Sequence, residues 1–134
     1  MGKIESRTGK LSYDDKKVFS FISDFTNFNN IIPVDRIEGW QATPDNCTFS
    51  IGGIGKAGMK IIQREPFNLI KIVSDDTTPI HFTMWIQLKN ISPDTTKVKI
   101  TIDPDVNMAI MMVVKNPLKS FIDDIVDQME KFSF

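Results

Sequence analysis

The chain has 134 residues, and its composition and charge exclude several classes of protein. A hydrophobic fraction of 41% and a charged fraction of 25% are typical of a globular protein, so we expect residues 1–134 to form a single domain. The net charge of -1 argues against nucleic-acid binding, because nucleic-acid binders depend on a basic excess.

Cysteine content and hydropathy indicate where the protein acts. Cys47 is the only cysteine, which excludes an intramolecular disulfide and fits a reducing compartment. The N-terminal sequence KIESRTGK has no apolar core of a signal peptide, and no stretch approaches the ~20 apolar residues of a membrane span. We therefore predict a cytoplasmic protein without integral membrane association.

The first part of the chain predicts one strand and two short helices. Residues 3–12 favour an edge strand. Asp14 and Asp15 then open a helical pattern, since acidic residues in a first turn suit the helix dipole. A second short helix over residues 25–32 ends at Pro33, because the residue before a proline avoids the α conformation.

The middle of the chain predicts six strands joined by turns too short for parallel pairing, which favours antiparallel neighbours. Phe82, Met84, Ile86 and Leu88 alternate with more polar residues, which indicates one covered face and one wetter face. The predicted strands are residues 36–41, 48–51, 57–64, 68–74, 80–89 and 97–103.

A long helix over residues 107–132 is predicted to cover the sheet, because its apolar residues recur at helical spacing. Asp103 or Asp105 is the expected N-terminal cap. Pro117 lies within the pattern and lacks the N–H that would bond the carbonyl of Val113, so we expect a kink or break between these two residues.

This order of elements resembles that of the SRPBCC superfamily, which includes START-like, polyketide cyclase-like and birch-pollen-allergen-like proteins. The resemblance covers essentially the whole chain and includes local segments such as DDKKVFSFISDFTNFNNIIP and QREPFNLIKI. It implies an α+β helix-grip fold, in which a curved antiparallel sheet of about seven strands wraps a long C-terminal helix around a cavity.

The same resemblance implies binding or transport of a lipid, polyketide or aromatic compound in that cavity. The leading hypothesis is therefore an apolar or amphipathic small-molecule ligand, without a cofactor, a metal site or an assigned catalytic residue. Arg36, Asn27 and Lys115 are candidate polar anchors. The residues expected to line the cavity are Phe28, Phe49, Met59, Ile61, Phe82, Met84, Ile100, Met111 and Leu118.

Three other readings stay open. A fully packed core would leave no cavity, since apolar stripes are usually ordinary core. A cyclase/dehydrase-type or hydrolase-type enzyme would need a titratable group inside the cavity. A protein-interaction module would use the outer sheet face, where parity places Trp85 with Lys60, Arg64, Lys71, Lys97 and Lys99. The sequence is compatible with both a monomer and a homodimer.

Two further motifs have simpler explanations than a ligand site. Gly53, Gly55 and Gly58 spell GxGxxG, but the following residues alternate like a strand and not like the helix that a dinucleotide site requires. His81, the only histidine, points away from the Phe82 face by parity and lacks the partners that a zinc site needs.

Overall fold

The computed structural model describes residues 2–33, 35–52 and 54–134. Within these residues an antiparallel sheet of eight strands is combined with helix α1 (Asp15–Ile22), a 3₁₀ helix (Phe25–Asn30) and helix α2 (Met108–Lys131). The strands are β1 (Ile4–Glu5), β2 (Gly9–Leu11), β3 (Ile37–Ala42), β4 (Asn46–Ile51), β5 (Gly55–Glu65), β6 (Leu69–Ser74), β7 (Phe82–Ser92) and β8 (Thr95–Pro104).

The sheet order is β1-β8-β7-β6-β5-β4-β3, with β2 also paired to β8. Strands β3 to β8 are sequential neighbours, as the short turns predict. The alternation in β7 is confirmed, since Met84 and Ile86 are buried and lie opposite Ile102 and Ile100 of β8. These residues define the inner face of the sheet, which packs against α2.

The predicted N-terminal strand is divided into two. The Ser6 hydroxyl accepts a hydrogen bond from the Ile100 backbone N–H, and the Arg7 N–H donates to the Asp123 carboxylate of α2. Arg7 also pairs through its guanidinium with Asp127 and Glu130. The Ser6 side chain thus stays bonded to β8, and the contacts of Arg7 hold the chain against α2 between β1 and β2.

Helix α2 differs from the sequence-based expectation in its N-terminal cap and in the absence of a break at Pro117. Asn107 caps it by accepting from the Ile110 N–H, so neither Asp103 nor Asp105 is the cap. The helix also passes through Pro117 without a break. The carbonyl of Val113, which lacks a donor from Pro117, belongs to a residue that is 67% exposed, so water can hydrogen-bond to it.

A β-bulge between Ile61 and Gln63 reverses the parity of the end of β5. After the bulge Arg64 lies opposite the buried Ile70 and donates to the Ser23 carbonyl at 3.0 and 2.8 Å. The expectation that Arg64 joins the outer lysines is therefore wrong. The extra residue in the strand exchanges the two faces.

The core lies between the inner face of the sheet and α2. The main buried contributors are Phe49, Met59, Ile72, Met84 and Ile100 from the sheet and Leu118, Phe121, Ile122, Ile125 and Met129 from α2.

No helix of the described residues is both long and apolar enough to cross a membrane.

Candidate functional site

An apolar cavity of about 30 Å³ lies between one end of the sheet and the middle of α2. Strands β4, β5, β7 and β8 supply most of its wall, and α2 closes it with two side chains. The lining residues are Phe49, Ile51, Ile54, Lys56, Ala57, Met59, Thr78, Pro79, Ile80, Phe82, Met84, Ile102, Pro104, Leu118 and Phe121.

The structure brings five of the nine predicted lining residues together at this cavity: Phe49, Met59, Phe82, Met84 and Leu118. The other four do not line it. Phe28, Ile61 and Ile100 are buried elsewhere in the core, and Met111 packs partly buried against the core. Contact of any of the nine with a ligand stays a prediction.

Several lining residues were not predicted from the sequence, for two different reasons. Ala57 and Ile102 share strand parity with Met59 and Ile100, so alternation alone would have identified them. Thr78, Pro79 and Ile80 lie in the loop between β6 and β7, and only the tertiary fold places this loop over the end of the sheet.

Hydrogen bonds fix that loop to β5. The Thr78 Oγ1 accepts from the Gly58 N–H at 2.9 Å, and its single proton is shared between the Gly58 carbonyl and the Asp75 carboxylate, which both lie 3.0 Å away. The Asp75 N–H donates to the same Gly58 carbonyl at 2.9 Å. The hydroxyl of Thr77 donates to the Asp75 carboxylate at 2.7 Å and, together with further bonds, holds the pKa of Asp75 below its usual range.

An aromatic cluster extends from the cavity to the 3₁₀ helix. Phe121 stacks on Phe49, with ring centroids 5.9 Å apart, and Phe49 packs on Trp40 at 5.5 Å. Trp40 in turn lies parallel to Phe28 at 6.2 Å. The Trp40 Nε1 is buried and has no hydrogen-bond partner among the described residues, which makes it a candidate donor to a water or ligand oxygen.

Few chemically active groups lie at the cavity. Among the described lining residues Lys56 is the one with a titratable side chain, and the Thr78 hydroxyl is occupied by the bonds above. Cys47 is buried beside this region, and burial raises the pKa of its thiol, so the sulfur stays protonated and weakly nucleophilic. The described residues contain no cluster of three or more potential metal ligands.

The candidate polar anchors lie away from the cavity. Arg36 pairs with Asp124 of α2, and the Asn27 amide donates to the Phe21 carbonyl at 3.1 Å. Lys115 is exposed on α2. His81 is also exposed and lines a separate depression with Thr83 and Asp103, next to the start of β7.

The first two turns of α2 present an unusual apolar surface. Met108, Ile110, Met112 and Val113 are 65%, 41%, 78% and 67% exposed. Their segment starts four residues after Pro104, which lines the cavity. Any test of apolar ligand binding must therefore distinguish this surface from the cavity.

No family model matches the chain, and no curated protein matches it in sequence. Solved structures do match it. A START superfamily protein from Mycobacterium smegmatis is 13% identical, with a TM-score of 0.72 over 96% of this chain and 94% of that one. Norcoclaurine synthase from Thalictrum flavum, a point mutant in complex with a transition-state analogue, gives a TM-score of 0.76 at 11% identity over 97% and 92%. The chain has the SRPBCC helix-grip fold.

The di-domain ARO/CYC protein BexL, from the BE-7585A biosynthetic pathway, extends the likeness. It is 14% identical, with a TM-score of 0.67 over 98% of this chain and 46% of BexL, so the chain matches about half of that two-domain protein. Because these identities are low, the likeness defines the SRPBCC helix-grip fold and leaves the ligand to be argued from the site.

Proposed function

We propose that the chain binds an apolar or amphipathic small molecule in the cavity between the sheet and α2. The observation that carries this proposal is the composition of the cavity wall, in which apolar side chains of both layers converge. Phe49, Met84 and Phe121 provide aromatic and thioether surface that adapts to an apolar guest. Norcoclaurine synthase, which has a similar fold, was solved in complex with a transition-state analogue, and this supports small-molecule binding by a fold of this kind.

The cavity must expand for this function. A volume of about 30 Å³ accommodates one or two water molecules, whereas small-molecule pockets typically enclose ~300–1,000 Å³. The loop that carries Thr78, Pro79 and Ile80 is a part of the wall that lies outside the strands, and it is bonded to β5 at Gly58. We therefore expect a ligand to displace this loop while the sheet and α2 stay in place.

The proposal favours binding over catalysis because Lys56 is the one titratable residue on the described wall. An acid–base reaction at this site would have to use its ammonium group or a group brought by the ligand. Lys56→Met is expected to leave binding of an uncharged ligand unchanged.

Native mass spectrometry of the freshly purified protein tests the proposal first, because a retained ligand adds its own mass. A titration with N-phenyl-1-naphthylamine, an uncharged apolar fluorophore, tests it independently of any natural ligand. Ala57→Val adds two methyl groups to the wall and is expected to weaken binding of the fluorophore at least fivefold.

Met112→Ser is the matched control, because Met112 is exposed on α2 and does not line the cavity. It is expected to bind the fluorophore like the parent protein. Loss of binding in Met112→Ser with full binding in Ala57→Val would place the fluorophore on the helix surface and overturn the proposal.

A further inference from the structure

Three lysines lie side by side across three adjacent strands on the outer face of the sheet. Lys97 of β8 is directly opposite Lys89 of β7 and directly opposite Lys10 of β2. Directly opposed residues share one face of an antiparallel pair, with Cβ atoms about 4.5–5.5 Å apart. The three lysines are exposed while the adjacent Leu88 and Val98 are buried, so the lysine row (Lys10, Lys89 and Lys97) projects away from the cavity.

The positive charge of the lysine row is not neutralised within the part of the chain that the structure describes. No carboxylate there lies within ion-pair distance of these three ammonium groups. The neighbouring Lys99 differs, because its Nζ lies 3.0 Å from the Glu5 carboxylate. Like charges directly opposite each other destabilise a sheet. The unliganded protein therefore carries a local repulsion among these three lysines, although its net charge is only -1.

The lysine row borders a depression that can hold a small anion. Lys89, Lys97 and Lys99 line this depression of about 380 Å³ together with Thr8 and Gln87. The Gln87 Oε1 accepts from the Thr101 hydroxyl at 3.1 Å, which leaves the amide N–H groups of Gln87 free to donate. Ammonium, hydroxyl and amide donors thus converge on one shallow site.

We propose that this depression binds a compound with two or more closely spaced phosphoryl groups. Several ammonium groups within a few ångströms match the closely spaced charges of such a group, whereas a single carboxylate would neutralise one of them. Lysine binds phosphate as a point charge, and the neutral donors Thr8 and Gln87 complete the hydrogen bonding to phosphoryl oxygens. This site lies on the opposite side of the sheet from the cavity and does not depend on the function proposed for the cavity.

Isothermal titration of the purified protein with inorganic triphosphate at low ionic strength tests the proposal. Lys97 is the central member of the row, so Lys97→Gln is expected to weaken binding about tenfold or more. Lys60→Gln is the matched control, because Lys60 lies on β5 opposite Val73 with no lysine partner. This control is expected to bind triphosphate like the parent protein.

The melting temperature of the unliganded protein gives a second readout. Removing the central charge relieves the repulsion, so Lys97→Gln is expected to melt at a higher temperature than the parent at low ionic strength. The difference should diminish as added salt screens the charges. Together with weaker triphosphate binding, this result would show that Lys97 destabilises the unliganded protein and strengthens binding of the ligand. A merely damaged fold would lower both quantities.

Two sources of the phosphoryl group are distinguished by sedimentation with phosphatidylcholine vesicles, with and without a bisphosphorylated phosphoinositide. Binding to the phosphoinositide vesicles in the parent but not in Lys97→Gln assigns the site to a lipid headgroup. Triphosphate binding without vesicle binding assigns it to a soluble phosphate compound. Equal affinity of the parent and Lys97→Gln for triphosphate, or no binding to either probe, would overturn the proposal.

Discussion

At position 58 a glycine lets the Asp75 carboxylate lie directly against β5. A Cβ at this position would lie 1.9 Å from the Asp75 Oδ2, so a larger residue must displace the carboxylate. That carboxylate cannot move freely, since its Oδ1 accepts from Thr77 and Thr78. Because Gly58 has no side chain, the Asp75 carboxylate can pack against β5 and hold the loop over the cavity in place.

Gly58→Ala is therefore expected to lower the free energy of unfolding by about 1–3 kcal/mol, as overpacking does elsewhere. Chemical denaturation measures this change. Gly52→Ala is the control, because the nearest atom to its new Cβ is the Arg36 carbonyl oxygen at 4.0 Å. Equal stability of the two variants would contradict the close contact, as would a full Gly58→Ala cost in an Asp75→Ala background.

Glu130 makes the stability of the folded protein depend on pH in the acid range. The Arg7 guanidinium, and next the Lys10 backbone N–H, hold the pKa of Glu130 below its usual range. A lowered folded-state pKa stabilises the protein above the unfolded value of ~4.3, and this contribution is lost as pH falls through the lowered pKa. Because the pair is partly exposed, the contribution is about 1 kcal/mol or less.

Glu130→Gln is accordingly expected to lower the melting temperature near neutral pH and to converge with the parent in strong acid. Melting temperatures measured from neutral pH downward test this dependence. A parent–variant difference that stays constant as the pH falls below the unfolded-state pKa would contradict the role given to the Arg7–Glu130 pair.

Among the elements, α2 shows how solvent access compensates for a helix-interior proline. Pro117 cannot donate to the Val113 carbonyl, and the exposure of Val113 leaves that oxygen to water. Pro117→Ala restores the donor and is expected to raise the free energy of unfolding by about 1–2 kcal/mol. This net value allows for the greater conformational entropy that alanine gives to the unfolded chain.

Urea denaturation measures the effect of Pro117→Ala. The control is Pro93→Ala in the turn between β7 and β8, where no helical hydrogen bond is gained and a small loss is expected. If Pro117→Ala is no more stable than Pro93→Ala, the missing hydrogen bond at Val113 is not a cost to the native helix.

The elements also show what a sequence can predict. The alternation of Met84 and Ile86 with more polar residues predicts the inner face of β7, because strand parity is a local property. The bulge after Ile61 cannot be read in the same way, since two consecutive isoleucines satisfy either register. The bulge reverses Arg64, and only pairing with β6 determines where it occurs.

The candidate site divides along the same lines. Phe49, Met59 and Met84 could be predicted from parity, together with the family resemblance that implied a cavity. Thr78 and Pro79 could not, because their position depends on the contact between a loop and Gly58. The lysine row could not be predicted either. Lys10 and Lys97 are far apart in the sequence, and only the register between β2 and β8 places them opposite each other.

In the molecule as a whole, the proposed site of an apolar ligand is the space between the sheet and α2. Methionines can locate the bound ligand because they lie in distinct environments. Met59 and Met84 line the cavity, Met108 and Met112 are exposed on α2, and Met129 is buried in α2. Each ε-methyl group therefore marks one place where a ligand either does or does not bind.

The most direct test is a proton–carbon NMR titration of methionine-methyl-labelled protein with N-phenyl-1-naphthylamine. We expect binding in the cavity to shift the Met59 and Met84 methyl signals with a common saturation curve, while the Met129 signal stays in place. Shifts confined to Met108 and Met112, with Met59 and Met84 unchanged at saturation, would contradict it.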